Sequence, residues 1–308
     1  MNGVLVYEEW LTPKGNKVWI FGENHEHSVS TKKCSGETFM HFMEVASKDL
    51  KPVNVYIEVS YVDTHHSIST AFRPKLAVIP ALLKNSNITQ IRKKYLDCLY
   101  VFENKGLCLL PSNVHLLPSD LRLEKKADGT LGTHEYQTFS HPLKSFYEGD
   151  TQEQETVLRL IQDYPPLLYT FITTESSERS ELARTFLKSK ISASTLKAII
   201  KHMFQYYDKQ IGFEELTNRE IRLLMLEKGL SNKDYVFAFM TSYGSILTDL
   251  YIVLQILGTQ GQNSIILTGA YHSGVYSTTL EWLGATLIIK GEASEEKNPL
   301  CLNLKKMV

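Results

Sequence analysis

Two G-x-x-H tetrapeptides stand near opposite ends of this 308-residue chain: Gly22-Glu23-Asn24-His25 and Gly269-Ala270-Tyr271-His272. Each directly follows an apolar run rich in β-branched residues, KVWIF at 17–21 and SIILT at 264–268. A third such run, VNVYIEV at 53–59, carries Glu58 close to its end. A carboxylate there is costly to bury unpaired, so it requires a cation, a histidine, a metal or water. Glu23, His25, Glu58 and His272 together offer two forms of chemistry. Imidazoles and carboxylates converging on one point can hold a divalent cation that lowers the pKa of bound water. Alternatively, a histidine steadied by a carboxylate can deprotonate water itself as a general base. His25, Glu58 and His272 form the candidate ligand set. Neutral histidine and carboxylate without cysteine suit Mn²⁺, Co²⁺, Fe²⁺ or Zn²⁺, and residue types alone do not choose among them.

Other residues support these four or compete with them. Ser119-Asp120-Leu121-Arg122 follows a further apolar run, and Asp120 and Arg122 either line the same site or pair with each other. Tyr271 and Ser273 flank His272 and are supporting candidates. Ser273 is not in a G-x-S-x-G elbow, which argues against a serine hydrolase. His27 is either a third ligand or an exposed side chain, and His65-His66 reads as a surface pair. Asp249 interrupts an apolar helix, and a buried hydrogen bond to a neighbouring helix accounts for it. Neither G-x-x-x-x-G-K-[ST] nor G-x-G-x-x-G occurs, so nucleotide binding by those routes has no support.

The positioning elements follow from periodicity. A weakly alternating start at Val4 and Val6 turns at Pro13-Lys14-Gly15-Asn16 into the strand at 17–21. Phe39, Phe42, Met43 and Ala46 recur at helical spacing, Pro52 stops that helix, and 53–59 is the next strand. Strand, helix, strand in so short a stretch is a βαβ unit with parallel neighbours. A long helical stretch spans 75–102, and NVHLL at 113–117 is the third core strand. Residues 124–150 read as an irregular surface excursion. From 151 to 257 the pattern is helical, with Leu196, Ile199, Ile200, Met203, Phe204 and Tyr207 making one apolar stripe. The strand at 264–268, a helix over 273–283 ended by Gly284, and a last strand at 285–290 complete the chain. The expectation is an α/β fold with a mostly parallel sheet flanked by helices. It forms a single domain over 1–308, with a large helical insertion or cap at 151–257 between the third and fourth core strands. In such sheets ligands bind beyond the carboxyl ends of the strands, where these ionisable groups cluster.

Composition excludes several classes. Thirty-three basic and 34 acidic residues leave a net charge of −1, and the basic clusters are short, so no nucleic-acid partner is expected. Cys34, Cys98, Cys108 and Cys301 show no C-x-x-C pairing, which fits reduced thiols rather than a disulfide framework or zinc knuckle. Acids precede any apolar stretch near the start, and no run approaches the ~18–20 residues needed to span a bilayer. A cytoplasmic location without membrane attachment is the expectation.

The same residues resemble the erythromycin esterase/ChaN-like superfamily, which includes the TraB/TIKI group. The resemblance rests on the G-E-x-H element at 22–25, the Glu of Tyr56-Ile57-Glu58, and the late G-x-x-H before a glycine at 269–274. Asp120 with Arg122, and Arg219 in a helix of the insertion, are weaker parallels. It runs from about residue 17 to 290. It implies an α/β sandwich whose site is built from the two G-x-x-H histidines and the acidic residues. Activities in that superfamily diverge into ester hydrolysis with a histidine base, metal-dependent proteolysis and haem binding. Substrate does not carry over, because the resemblance rests on the strand-end motifs and includes neither 124–150 nor the helical insertion as a whole.

Three functions compete. One is a hydrolase of ester or peptide bonds acting on a small-molecule or peptide substrate through His25 and His272, with or without a metal. Another is a non-catalytic binding or assembly protein that keeps the polar cluster as scaffold. The last is haem or small-cofactor binding through a histidine, which predicts a Soret band on reconstitution.

Overall fold

The structure is a computed structural model and describes residues 4–23, 51–60, 113–121, 133–139, 151–174, 180–211 and 232–292. The chain divides into two compact units, Met1–Asp120 with Thr259–Val308, and Leu121–Gly258.

The first unit holds a six-stranded sheet: β1 Val4–Leu11, β2 Lys17–Glu23, β3 Val53–Ser60, β4 Val114–Asp120, β5 Asn263–Gly269 and β6 Thr286–Glu292. Their order across the sheet is β4-β3-β5-β2-β1-β6. Five strands run one way and β1 alone is opposed, pairing antiparallel with β2 and β6. The fold is α/β with a mostly parallel sheet. All seven residues of β5 are buried, as are Val18 to Phe21 and Val53 to Tyr56. Strands covered on both faces select near-continuous apolar runs over alternation. That is why these three were legible.

Several boundaries differ from the sequence reading. β1 is a full strand despite its acids, because buried Glu8 accepts from the Trp10 indole N–H at 2.8 Å and from the Ser277 hydroxyl. Lys290 Nζ lies 3.7 Å from the same carboxylate. β2 continues through Gly22 to Glu23, and β3 continues two residues past Glu58. β4 runs through Pro118 to Asp120, so Ser119 and Asp120 belong to the strand rather than following it. Proline is tolerated there because β4 is an edge strand, where a missing N–H need not break a ladder. β2 and β3 are parallel but not neighbours, since β5 lies between them. The expected helices near 36–48 and 75–102, and all four cysteines, lie outside the described residues.

A helix that the sequence reading began at Ser273 starts three residues earlier, spanning Ala270–Trp282, and it packs on β2, β1, β5 and β6. Its far end closes by two reverse bonds, Gly284 N to Glu281 O and Ala285 N to Leu280 O, each 2.9 Å. This Schellman closure needs a left-handed residue, and Gly284 supplies it at φ 83°.

The second unit contains α1 Thr151–Thr174, α2 Glu181–Ser189, α3 Ala193–Ile211 and α4 Asn232–Gly258; the helix at Ala270–Trp282 is α5. The α3 stripe is buried at all six expected positions, and each such side chain contributes roughly 1.5–3 kcal/mol on burial. Asp249 of α4 accepts from the Tyr207 hydroxyl of α3, which explains a carboxylate inside an apolar helix. Within the expected irregular excursion, residues 134–139 are helical. Thr133 Oγ1 accepts from Tyr136 N at 3.3 Å and caps that turn. Buried Glu135 accepts from Leu182 N at 2.9 Å and from Ser180 Oγ at 2.8 Å, tying the turn to the start of α2.

Candidate active site

Sheet order determines which sequence-selected groups meet. The chain leaves β3 for β4 on one side of the sheet, and leaves β5 through α5 for β6 on the other. β3 and β5 are adjacent, so the connections diverge between their carboxyl ends. Open α/β sheets place ligands at such a switch point. Glu58 stands near the end of one flanking strand, β3, and His272 in the first turn of α5, which follows the other, β5.

Glu58 is held from below by backbone. Its Oε2 accepts from Gly269 N at 3.1 Å, with the Thr268 hydroxyl at 3.5 Å. Gly269 is the N-cap of α5 and provides no side-chain cap, so the Glu58 carboxylate supplies negative charge at the positive end of the helix. The other oxygen, Oε1, lies 3.8 Å from His272 Nε2. That separation is an ion-pair distance and exceeds a direct hydrogen bond. Side-chain exposure is 13% for Glu58 and 7% for His272, so the pair works largely screened from water. Electrostatic coupling between such groups is stronger there than at the surface.

The flanking residues take distinct positions. Tyr271 is 38% exposed, its ring edge-on to the His272 imidazole with centroids 6.3 Å apart. Ser273 is buried. Its hydroxyl donates to Ala270 O at 2.6 Å and its carbonyl accepts from Ser277 Oγ at 2.7 Å. These bonds tie Ser273 into the first turns of α5.

Of the remaining candidates, Glu23 is the last residue of β2, where its backbone pairs with Gly269 of β5. Asp120 closes β4 opposite Ser60, one strand beyond Glu58 in the sheet. His25, His27, His65, His66, Arg122 and Arg219 lie outside the described residues. Of the ligand set His25, Glu58 and His272, the structure therefore brings the latter two together. Among the described residues no group of three His, Cys, Asp or Glu side chains is arranged to hold a metal ion. Nor, among them, is any helix long and apolar enough to cross a membrane.

Sequence reasoning missed the partners that fix Glu58, the Gly269 amide and the Thr268 hydroxyl. A backbone amide has no residue signature; the only available cue was the glycine that opens the second G-x-x-H.

In comparisons with known proteins, no family model, no curated protein and no solved structure matches this chain.

Proposed function

We propose that this protein is a hydrolase of ester or peptide bonds, acting on a small-molecule or peptide substrate through Glu58 and His272. The observation that carries the reading is the pairing of Glu58 Oε1 with His272 Nε2 at 3.8 Å, at the carboxyl ends of two adjacent parallel strands. Glu58 is fixed by the Gly269 amide, so it orients the imidazole rather than following it. His272 takes a proton from a water molecule while the water oxygen bonds to the substrate carbonyl carbon. Glu58 stabilises the imidazolium that results. The same proton then passes to the leaving alkoxide or amine as the carbonyl bond re-forms. The resemblance to the erythromycin esterase/ChaN-like superfamily agrees with this chemistry and adds His25 as the partner from the first G-x-x-H.

A metal variant of the mechanism fits the same donors. Ligands bonded at ~2.0–2.2 Å to one ion stand about 3–4 Å apart, which matches the Glu58–His272 spacing. Glu58, His272 and His25 would hold the ion; a Mn, Co, Fe or Zn ion bound there would supply an acidified water. Metal analysis of protein purified without chelator separates the variants. Stoichiometric metal selects the ion, and its absence selects the histidine base.

The test is a panel of ester and peptide substrates assayed with wild type, His272→Ala, Glu58→Gln and His25→Ala. Removing the base is expected to cost ~10²–10⁴-fold in rate. Full activity in His272→Ala ends the proposal.

A scaffold role is the second reading, favoured by the bond from the Gly269 amide to Glu58 and by the burial of His272. Under it, Glu58→Ala lowers stability while no substrate on the panel is turned over.

A further inference from the structure

The two G-x-x-H elements share more than a histidine. Glycine 22 of the first faces the helix that carries the second. A Cβ added at Gly22 would lie 2.7 Å from Ser273 Oγ, 3.0 Å from Ser273 Cβ and 3.1 Å from Ala270 Cα. The first of these is closer than real Cβ atoms come, and the other two are tight contacts in which the neighbour must give by a few tenths of an ångström, one of them, Ala270 Cα, being backbone. Ser273 Oγ is itself fixed by its 2.6 Å bond to Ala270 O, so rotation of the hydroxyl away from the clash sacrifices that bond. Gly22 has no positive φ to explain its identity: among the described residues the positive-φ glycines are Gly15, Gly261 and Gly284. Space is what requires glycine here.

We infer that Gly22 and Ser273 form a packing interlock that seats the first turn of α5 on β2 and so sets His272 against Glu58; this rests on the Glu58–His272 pair being the site. β5 lies between β3 and β2 in the sheet. From the β3 side, Glu58 holds the start of α5 through the Gly269 amide. From the β2 side, Gly22 receives Ser273. The first turn is thus fixed from both neighbours of its own strand, with His272 adjacent to the β2 contact in sequence and to Glu58 in space. Displacing the turn by the few tenths of an ångström that a methyl demands changes a 3.8 Å ion pair directly. In this arrangement Gly22 and Ser273 act as positioning residues, through α5 and His272.

The experiment reads His272 without relying on turnover. Imidazole ring resonances are recorded at one fixed pH, with His272 assigned by its loss in His272→Gln. The comparison covers wild type, Glu58→Gln, Gly22→Ala, Ser273→Gly and the Gly22→Ala/Ser273→Gly double variant, each with its Tm. Gly22→Ala is expected to move the His272 signals and lower Tm. Removing the Ser273 side chain in the double variant is expected to bring both at least halfway back to Ser273→Gly, a coupling that independent sites do not give. The inference fails if Gly22→Ala leaves the His272 signals in place, or if the double variant is no closer to the reference. Should Gly22→Ala not fold, folding of the double variant supports the interlock and its failure overturns it. Rescue of the signals alongside full hydrolysis in His272→Ala removes the catalytic assignment of His272 and leaves the interlock standing.

Discussion

At the residue scale, Glu58 has two duties that substitution can divide. One oxygen accepts from the Gly269 amide and the other faces His272. Glutamine keeps an acceptor for the amide but removes the charge that steadies an imidazolium. Alanine removes both and leaves a buried N–H without its partner, a loss of about 1–3 kcal/mol. Chemical denaturation should therefore rank wild type above Glu58→Gln above Glu58→Ala, while any hydrolytic rate falls already in Glu58→Gln. Equal stability in all three would show that the carboxylate does not hold the start of α5. Glu58 was legible from its cost: a carboxylate in Val-Asn-Val-Tyr-Ile-Glu-Val needs a partner. Which oxygen meets which partner was not legible, because one of those partners is backbone.

At the element scale, the short helix α2 depends on its cap. Ser180 is extended at φ −118°, its Oγ accepts from Ala183 N at 3.0 Å, and it donates to Glu135. Ser180→Ala should cost ~0.5–2 kcal/mol, measured by thermal or urea unfolding with far-ultraviolet circular dichroism. A loss below that range would mean that Glu135, through Leu182 N, caps α2 alone. The elements easiest to read were those with one repeated apolar period, such as the α3 stripe and the fully buried β5. Harder were elements held by polar contacts. β1 carries Glu8 and Glu9 in its middle; its ladders join it to β2 and β6, and the Ser277 hydroxyl of α5 bonds to Glu8. The turn at 134–139 is anchored by Thr133, which donates to Leu121 O, and by Glu135, which accepts from Leu182 N of α2. Periodicity carries no record of such bonds.

At the scale of the whole molecule, burial makes two tyrosines report on alkaline stability. Desolvation pushes the phenol of Tyr56 well above its usual range, with hydrogen bonds from Asn54, Ser264 and Thr259 opposing it. Desolvation does the same for Tyr7, reinforced by the nearby Glu9 charge. A phenol raised in the folded state ionises first in the unfolded chain, at about pH 10. Their contribution is therefore fully present below pH ~10 and is lost as pH rises above it toward the folded values. Tm followed from neutral to strongly alkaline pH should fall above pH ~10, and Tyr56→Phe should flatten that fall. Phenolate absorbance of both tyrosines appearing at ordinary pH in the folded protein would contradict it. By itself, the sequence determined the class of fold, the apolar strands, the helical stretch from 151 onward and the residue types at the strand ends. Those depend on local period and on the cost of burying charge, which neighbouring residues carry. Only the tertiary structure decided that β5 enters between β2 and β3, because strand order depends on long-range pairing that no short window encodes. That one insertion sets α5 across β2, gives Gly22 its neighbour, and turns a glutamate and a histidine from distant parts of the chain into a pair.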